Sequence, residues 1–222
     1  MNCHYDEIRV STPYALVLIL LYMTIYIDFY YGLGSRYSYL AASQISYIEA
    51  RFDCQFIWKP LFSGKLIQLW QRNPFTEQHV SGQYDWTYRQ LDAKRWADYY
   101  GIPFHEPKLK KIAPELLAIA VLAANRYDLL INYSHLLFQK IFAEQIEVEV
   151  ELLIKLASSL EIPEDNFREA LRSPHLHLEL DQIIQEAFHR GAFGVPTFFV
   201  DSEMFWGNDR LMLLEHYLSK NL

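Results

Sequence analysis

The sequence predicts an α/β fold in which a βαβ half and a ββα half flank a large all-helical insertion. Three observations carry this. Ile25–Tyr31 is a β-branched and aromatic run that ends in glycines and opens into a helical pattern. A long central stretch shows helical spacing and no strand signal. Near the C-terminus, the proline-headed run Pro196-Thr197-Phe198-Phe199-Val200 is followed by a short turn and a second strand pattern at Met204-Phe205-Trp206.

Each element has a local reason. Tyr39, Leu40, Ile45, Ile48 and Phe52 recur with helical spacing, so a helix is expected over 38–52. Ser35, just ahead of it, is a good N-cap residue. Cys54–Trp58 reads as a second strand, ended by Lys59-Pro60. Two strands joined by a helix imply a right-handed crossover with parallel strands. Helices are then expected over 87–100, 114–127, 134–143, 150–160 and 163–172, with Pro114 and Pro163 in first turns. Glu147–Glu151 alternates like a strand, but among helical neighbours it reads as a loop leading into a helix. Residues 178–190 form a helix stopped by Gly191, and a last helix covers 209–219. The chain thus divides into an N-terminal extension at 1–22, a βαβ half at 23–62, a helical insertion at 63–176 and an αββα half at 177–222.

Composition narrows the functional classes. The 222 residues suit one domain carrying an insertion, and 51% hydrophobic residues with 16% aromatics supply its core. A net charge of −7 without a basic run argues against nucleic acid or an anionic membrane surface as partner. The two cysteines, Cys3 and Cys54, form no C-x-x-C and no disulfide framework. They fit a reducing compartment, and a cytoplasmic location is expected. Cys54, inside a strand, reads as a buried structural thiol. His175 and His177 are two apart and do not share a helix face, so no metal site is expected.

The apolar run Ala15–Ile25 is shorter than the roughly 20 residues a spanning helix needs. Asp6, Glu7 and a single Arg9 precede it, which is not a positive leader region. A membrane or secretory signal, a packed segment, and an extension outside the working protein are the three readings. Met23-Thr24-Ile25, a natural start just ahead of the first strand, favours the last. No stable membrane association is expected.

Three stretches together resemble one family. GAFGVPTFFVDSEMFWGNDRL (191–211) resembles the C-terminal part of DsbA-like thioredoxin-fold proteins, in particular 2-hydroxychromene-2-carboxylate isomerases and kappa-class glutathione transferases. Gly32–Ala42 is similar to that family's short loop and Ser-Pro-Tyr/Phe-Ser-Tyr-Leu-Ala helix start. Tyr88–Ala97, followed by Tyr100-Gly101-Ile102-Pro103, is similar to its aromatic, Asp, Arg-Trp, Gly-Ile/Val-Pro run. The resemblance spans nearly all of 23–222. It implies a thioredoxin-like fold, glutathione as cofactor, a small aromatic or conjugated acid as substrate, and allows a homodimer. It also implies a cis Val195-Pro196 bond, with the Val195 backbone pairing with the cysteinyl part of glutathione.

The residues by themselves and the resemblance give different roles to the same positions. Ser35 is a cap on its own. The resemblance makes its hydroxyl the catalytic donor to the glutathione sulfur, where a hydrogen bond and the helix dipole both lower the thiol pKa from about 8.5. Arg36 stands where the family usually has proline, and it either faces the site, beside thiolate or a substrate carboxylate, or points to solvent. Asn208 and Asp209 read as caps. The resemblance has Asp209 accept from the γ-glutamyl ammonium and Asn208 or backbone N–H groups donate to its carboxylate. For the glycine end it offers Asn73, while the expected lysine position reads Gln68 with Lys65 nearby. Arg36, Tyr37, Trp206 and Asp92 are candidates on the substrate side. Asp92 with Arg95 also reads as an exposed ion pair, and Trp206 as core.

The implied activity is a glutathione-dependent cis-trans isomerisation. Glutathione thiolate adds reversibly to a conjugated 2-oxo acid, interconverting 2-hydroxychromene-2-carboxylate and trans-o-hydroxybenzylidenepyruvate. Two other readings stay open. One is a DsbA-like protein disulfide oxidoreductase, against which the missing C-x-x-C speaks. The other is a non-catalytic thioredoxin-fold binding protein, for which the Arg36 and Gln68 departures speak.

Overall fold

The structure is a computed structural model and describes residues 24–71 and 86–221. Strand β1 (Ile25–Tyr31) leads through Gly32–Ser35 into helix α1 (Arg36–Arg51), and β2 (Cys54–Pro60) follows. The helical block holds α2 (Ser63–Leu69), α3 (Trp86–Tyr100), α4 (Pro114–Asn125), α5 (Leu130–Phe138), α6 (Val150–Ser159) and α7 (Glu164–Ala170). Helix α8 (Pro174–His189), the hairpin β3 (Thr197–Val200) and β4 (Glu203–Trp206), and helix α9 (Leu211–Asn221) complete the chain. The four strands form one sheet in the order β2-β1-β3-β4. β1 and β2 are parallel, and the β1–β3 and β3–β4 pairs are antiparallel. This is the expected thioredoxin-like arrangement, with its helical insertion between the two halves.

Alternation along β1 sends its side chains to two covered faces. On one face Phe29 stacks on Tyr31 and on Phe198, with ring centroids 4.9 and 5.0 Å apart, and Trp58 meets Phe29 edge-on. Tyr31 also donates to or accepts from Ser134 of α5 at 2.6 Å, which ties the helical block to the sheet. On the other face Asp28 pairs with Lys59 at 2.9 Å and with Arg190 of α8, and Arg190 lies 4.0 Å over the Phe199 ring. Both faces of a mixed sheet are therefore packed, as a small three-layer domain requires.

Several boundaries differ from the sequence expectation. Helix α2 was not expected: it is short, it carries Gly64 in its first turn, and no side chain caps it. α5 starts at Leu130, not 134, because Ser134 is no cap. It is buried mid-helix, its Oγ donating to Leu130 O at 2.8 Å. Gln139–Ala143 continues α5 as a π-turn. α8 begins at Pro174, four residues before the expected start, with the proline in its first turn. Asn208–Arg210 is a 3₁₀ turn ahead of α9. Glu147–Glu149 is loop and Val150 opens a helix, as expected. The three readings of residues 1–22 lie outside the described residues.

The register fixes where the loops meet. Tyr30 of β1 pairs with Thr197, the first residue of β3, and Thr197 pairs with Trp206, the last of β4. The end of β1, the start of β3 and the end of β4 therefore lie at one edge of the sheet. The α1 N-terminus, Val195-Pro196 and the Gly207–Arg210 turn are collected there.

Candidate functional site

Ser35 caps α1: its Oγ accepts from the Ser38 backbone N–H at 3.2 Å. Ser38, fully buried, accepts from Gly32 N–H at 3.2 Å and so holds the turn that presents Ser35. The hydroxyl proton of Ser35 is given to no described residue. The first turn of α1 contains no acidic side chain, so its N-terminal partial charge stays uncompensated from within the helix.

Opposite stands the Val195-Pro196 bond, which is cis as expected. A Cβ placed on Gly32 would lie 3.3 Å from Val195 Cγ2, so the two loops are in contact. The Pro196 carbonyl accepts from Gly207 N–H at 2.9 Å and Thr197 Oγ1 donates to Gly194 O at 2.8 Å. The Val195 N–H and C=O make no hydrogen bond with another described residue. Gly207 has φ +106°, a conformation that favours glycine, and this turns the chain into Asn208-Asp209-Arg210. Asn208 is 2% exposed, and its buried Nδ2 has no hydrogen-bond partner. Asp209 pairs with Arg210 at 3.3 Å.

These groups line one wall of a cavity of about 720 Å³. The other wall comes from α3, with Trp86, Tyr88, Arg89, Asp92 and Trp96, and from Arg36 and Tyr37 on α1. Tyr37 donates to Asp92 Oδ2 at 2.9 Å, and burial first, then Asp92, pushes the Tyr37 pKa up to about 12. Arg36 is buried and pairs with Glu106 at 3.0 Å. The Trp86 ring lies 4.2 Å from the Arg36 guanidinium carbon. Burial pulls the Arg36 pKa down against the opposing pull of Glu106, and burial pushes Glu106 up. One end of the cavity thus offers hydroxyl and amide groups, and the other aromatic rings and guanidinium groups.

The cavity brings together Ser35, Arg36, Tyr37, Asp92, Val195, Trp206, Asn208 and Asp209. Pro196 is buried directly behind Val195. Four sequence readings need correction or fall away. Lys65 is not on the cavity wall; it reaches Asp181 of α8. Gln68 is exposed and also off the wall. Arg36 does not point to solvent, because Glu106 and Trp86 enclose it. Asp92 forms no ion pair with Arg95; its carboxylate is taken by Tyr37 instead. Asn73 lies outside the described residues. Trp86, Arg89, Trp96 and Glu106 were not foreseen. Arg89 and Trp96 sit in one of the three resembling stretches, which was the signal available for them. Cys54 is buried on β2, away from the cavity, and burial pushes its thiol up to about 11. No His/Cys/Asp/Glu cluster among the described residues could hold a metal, and no helix among them is long and apolar enough to cross a membrane.

Known proteins share this fold. The model of the DSBA-like thioredoxin domain family matches residues 26–219. The chain is 29% identical over 198 residues to 2-hydroxychromene-2-carboxylate isomerase of Sphingobium xenophagum, covering 88% of this chain and 99% of that protein. It is 28% identical over 196 residues to the isomerase of the same name from Pseudomonas putida, covering 87% and 94%. A solved 2-hydroxychromene-2-carboxylate isomerase superposes with a TM-score of 0.74 at 24% identity, over 88% of this chain and 95% of that one. A family match from the first strand to the last helix makes this chain a member of the DSBA-like thioredoxin domain family, with 2-hydroxychromene-2-carboxylate isomerases among its relatives.

Proposed function

We propose that this protein is a glutathione-dependent isomerase of the 2-hydroxychromene-2-carboxylate isomerase type, acting on a small conjugated 2-oxo acid. The observation that carries the reading is a hydroxyl, not a thiol, at the α1 N-terminus, facing a cis-proline loop whose Val195 backbone is unused by the described residues. The α1 N-terminus, where the helix dipole would favour a thiolate, holds no sulfur, so thiol chemistry at this site would use a thiol brought by a ligand.

The residues present fit glutathione. When bound, glutathione supplies a thiol nucleophile that adds reversibly to a conjugated carbon and so frees a double bond to rotate. Ser35 donates its spare proton to the sulfur, and the α1 dipole acts in the same direction to favour thiolate. The Val195 N–H and C=O pair with the cysteinyl backbone as an added strand would. Asn208 Nδ2, a buried donor that lies beside Tyr100 but forms no well-aligned bond, serves the γ-glutamyl carboxylate. Asp209 accepts from the ammonium. The aromatic wall, Trp86, Tyr88 and Trp96, excludes water around the second substrate.

A direct assay tests this. Purified protein is mixed with trans-o-hydroxybenzylidenepyruvate, and the conversion is followed by absorbance with and without glutathione. Conversion only with glutathione supports the reading. Equal rates in both mixtures, or none in either together with reduction of a protein disulfide, would sink it.

A further inference from the structure

We infer that Arg36 selects a carboxylate on the second substrate, through the guanidinium edge that carries Nη1. The inference rests on the proposed reading of the cavity as a two-substrate site, and it concerns a residue at which this chain departs from the proline its family usually has.

Arg36 is the first residue of α1, so its backbone stands directly beside Ser35. Its side chain is only 6% exposed and lines the cavity. Three of its surroundings are fixed. Nη2 lies 3.0 Å from Glu106 Oε2, the Trp86 ring sits 4.2 Å from Cζ, and Nη1 is buried with no hydrogen-bond partner at all. A guanidinium stays charged in a protein. Its burial with an unused donor is costly, and the cost is relieved by an acceptor that arrives with a ligand.

The other cavity-facing ionic groups already have partners. Asp209 holds Arg210 at 3.3 Å, Tyr37 holds Asp92 at 2.9 Å, and Arg89 lies against the Tyr37 ring. Glu106 faces Nη2 as an ion pair, yet neither its oxygens nor Nη1 has a hydrogen-bond partner. A planar guanidinium with an unpartnered nitrogen matches a carboxylate better than a neutral carbonyl, because the bond is charge-assisted. Consecutive residues then hold the two reactants, Ser35 the thiol and Arg36 the acid.

The test uses the full chain with trans-cinnamate and its neutral isostere trans-cinnamamide, titrated calorimetrically and by tryptophan fluorescence. A bond to a charged group predicts that cinnamate binds about ten- to a hundred-fold more tightly than the amide. Arg36→Gln should abolish that preference. Glu106→Gln should increase it, since the competing carboxylate is gone. Equal affinities in the native protein overturn the inference, as does a folded Arg36→Gln variant that keeps the preference. If Arg36→Gln does not fold, Glu106→Gln decides: an unchanged or lost preference overturns the inference. A parallel glutathione titration separates the two ideas. Acid preference without glutathione binding sinks the isomerase reading and leaves Arg36 its role; glutathione binding without acid preference does the reverse.

Discussion

Ser35 combines two tasks at one oxygen. Its lone pair caps α1 through Ser38 N–H, and its proton is left over. Ser35→Ala should therefore raise the pKa of bound glutathione by roughly one to two, if the ~1.5–3 kcal/mol of a bond to a charged group falls on the thiolate. Activity at neutral pH should drop about ten- to a hundred-fold and recover in part at alkaline pH. Asp209→Ala should instead weaken glutathione binding and leave the thiol pKa where it was. Thiolate absorbance near 240 nm, titrated on both variants, separates the roles. Ser35 was legible because a capping residue type sits at an element boundary that sequence patterns locate; Asn208 and Asp209, which also read as caps, lie within the 3₁₀ turn behind Gly207, and no side chain caps it. Lys65 was misread because its direction depends on Asp181, far along the chain. The burial of Arg36 was hidden for the same reason: charge is visible in a sequence, but Glu106 as the distant partner is not.

The β3–β4 hairpin and α3 frame the cavity by close approach rather than by pairing. Within the hairpin side itself the loop before β3 and the end of β4 nearly touch: a Cβ on Gly194 would sit 2.7 Å from Trp206 Nε1 and 3.3 Å from its Cε2. The indole packs against Phe193 at 4.7 Å, so it has little room to retreat. Gly194→Ala should cost about 1–3 kcal/mol of stability, as overpacking does, and also weaken glutathione binding by shifting the Val195 loop. Urea denaturation and a thermal-shift titration of the same variant check the two effects; an unchanged midpoint would show that the ring swings away freely. At this scale the strands and long helices followed from periodicity. The errors fell where periodicity is weak: seven-residue α2, the buried Ser134 inside α5, and the π-turn after it.

Across the whole molecule, buried tyrosines join the sheet to its helices. Burial pushes Tyr30, Tyr37 and Tyr100 up to about 12, from an ordinary value of 10.0, and it raises Tyr31 and Tyr133 as well. Between pH 10 and 12 the folded chain keeps protons that the unfolded chain has released, so stability must fall as pH rises through this window. Below pH 10 this contribution is fully present. Chemical denaturation at pH 8, 10 and 11, with tyrosinate absorbance near 295 nm as a second probe, should show a falling midpoint and late, cooperative ionisation. A midpoint flat to pH 11 would contradict it. The architecture itself was readable, because the order of strands and helices restricts topology strongly. The aromatic wall was less so, since it exists only when the insertion folds back over the α1 N-terminus.

That wall has a consequence for how the protein comes into being. Ser35 leaves the ribosome before the α3 aromatics, and Val195 through Arg210 emerge long after both. No nascent intermediate holds both sides of the cavity. A chain cut short before the β3–β4 hairpin could carry most of the helices and still offer no pocket to a thiol or an acid. A pocket for either ligand thus requires the two halves of the fold to be docked on each other, and ligand can act only on a chain in which they are.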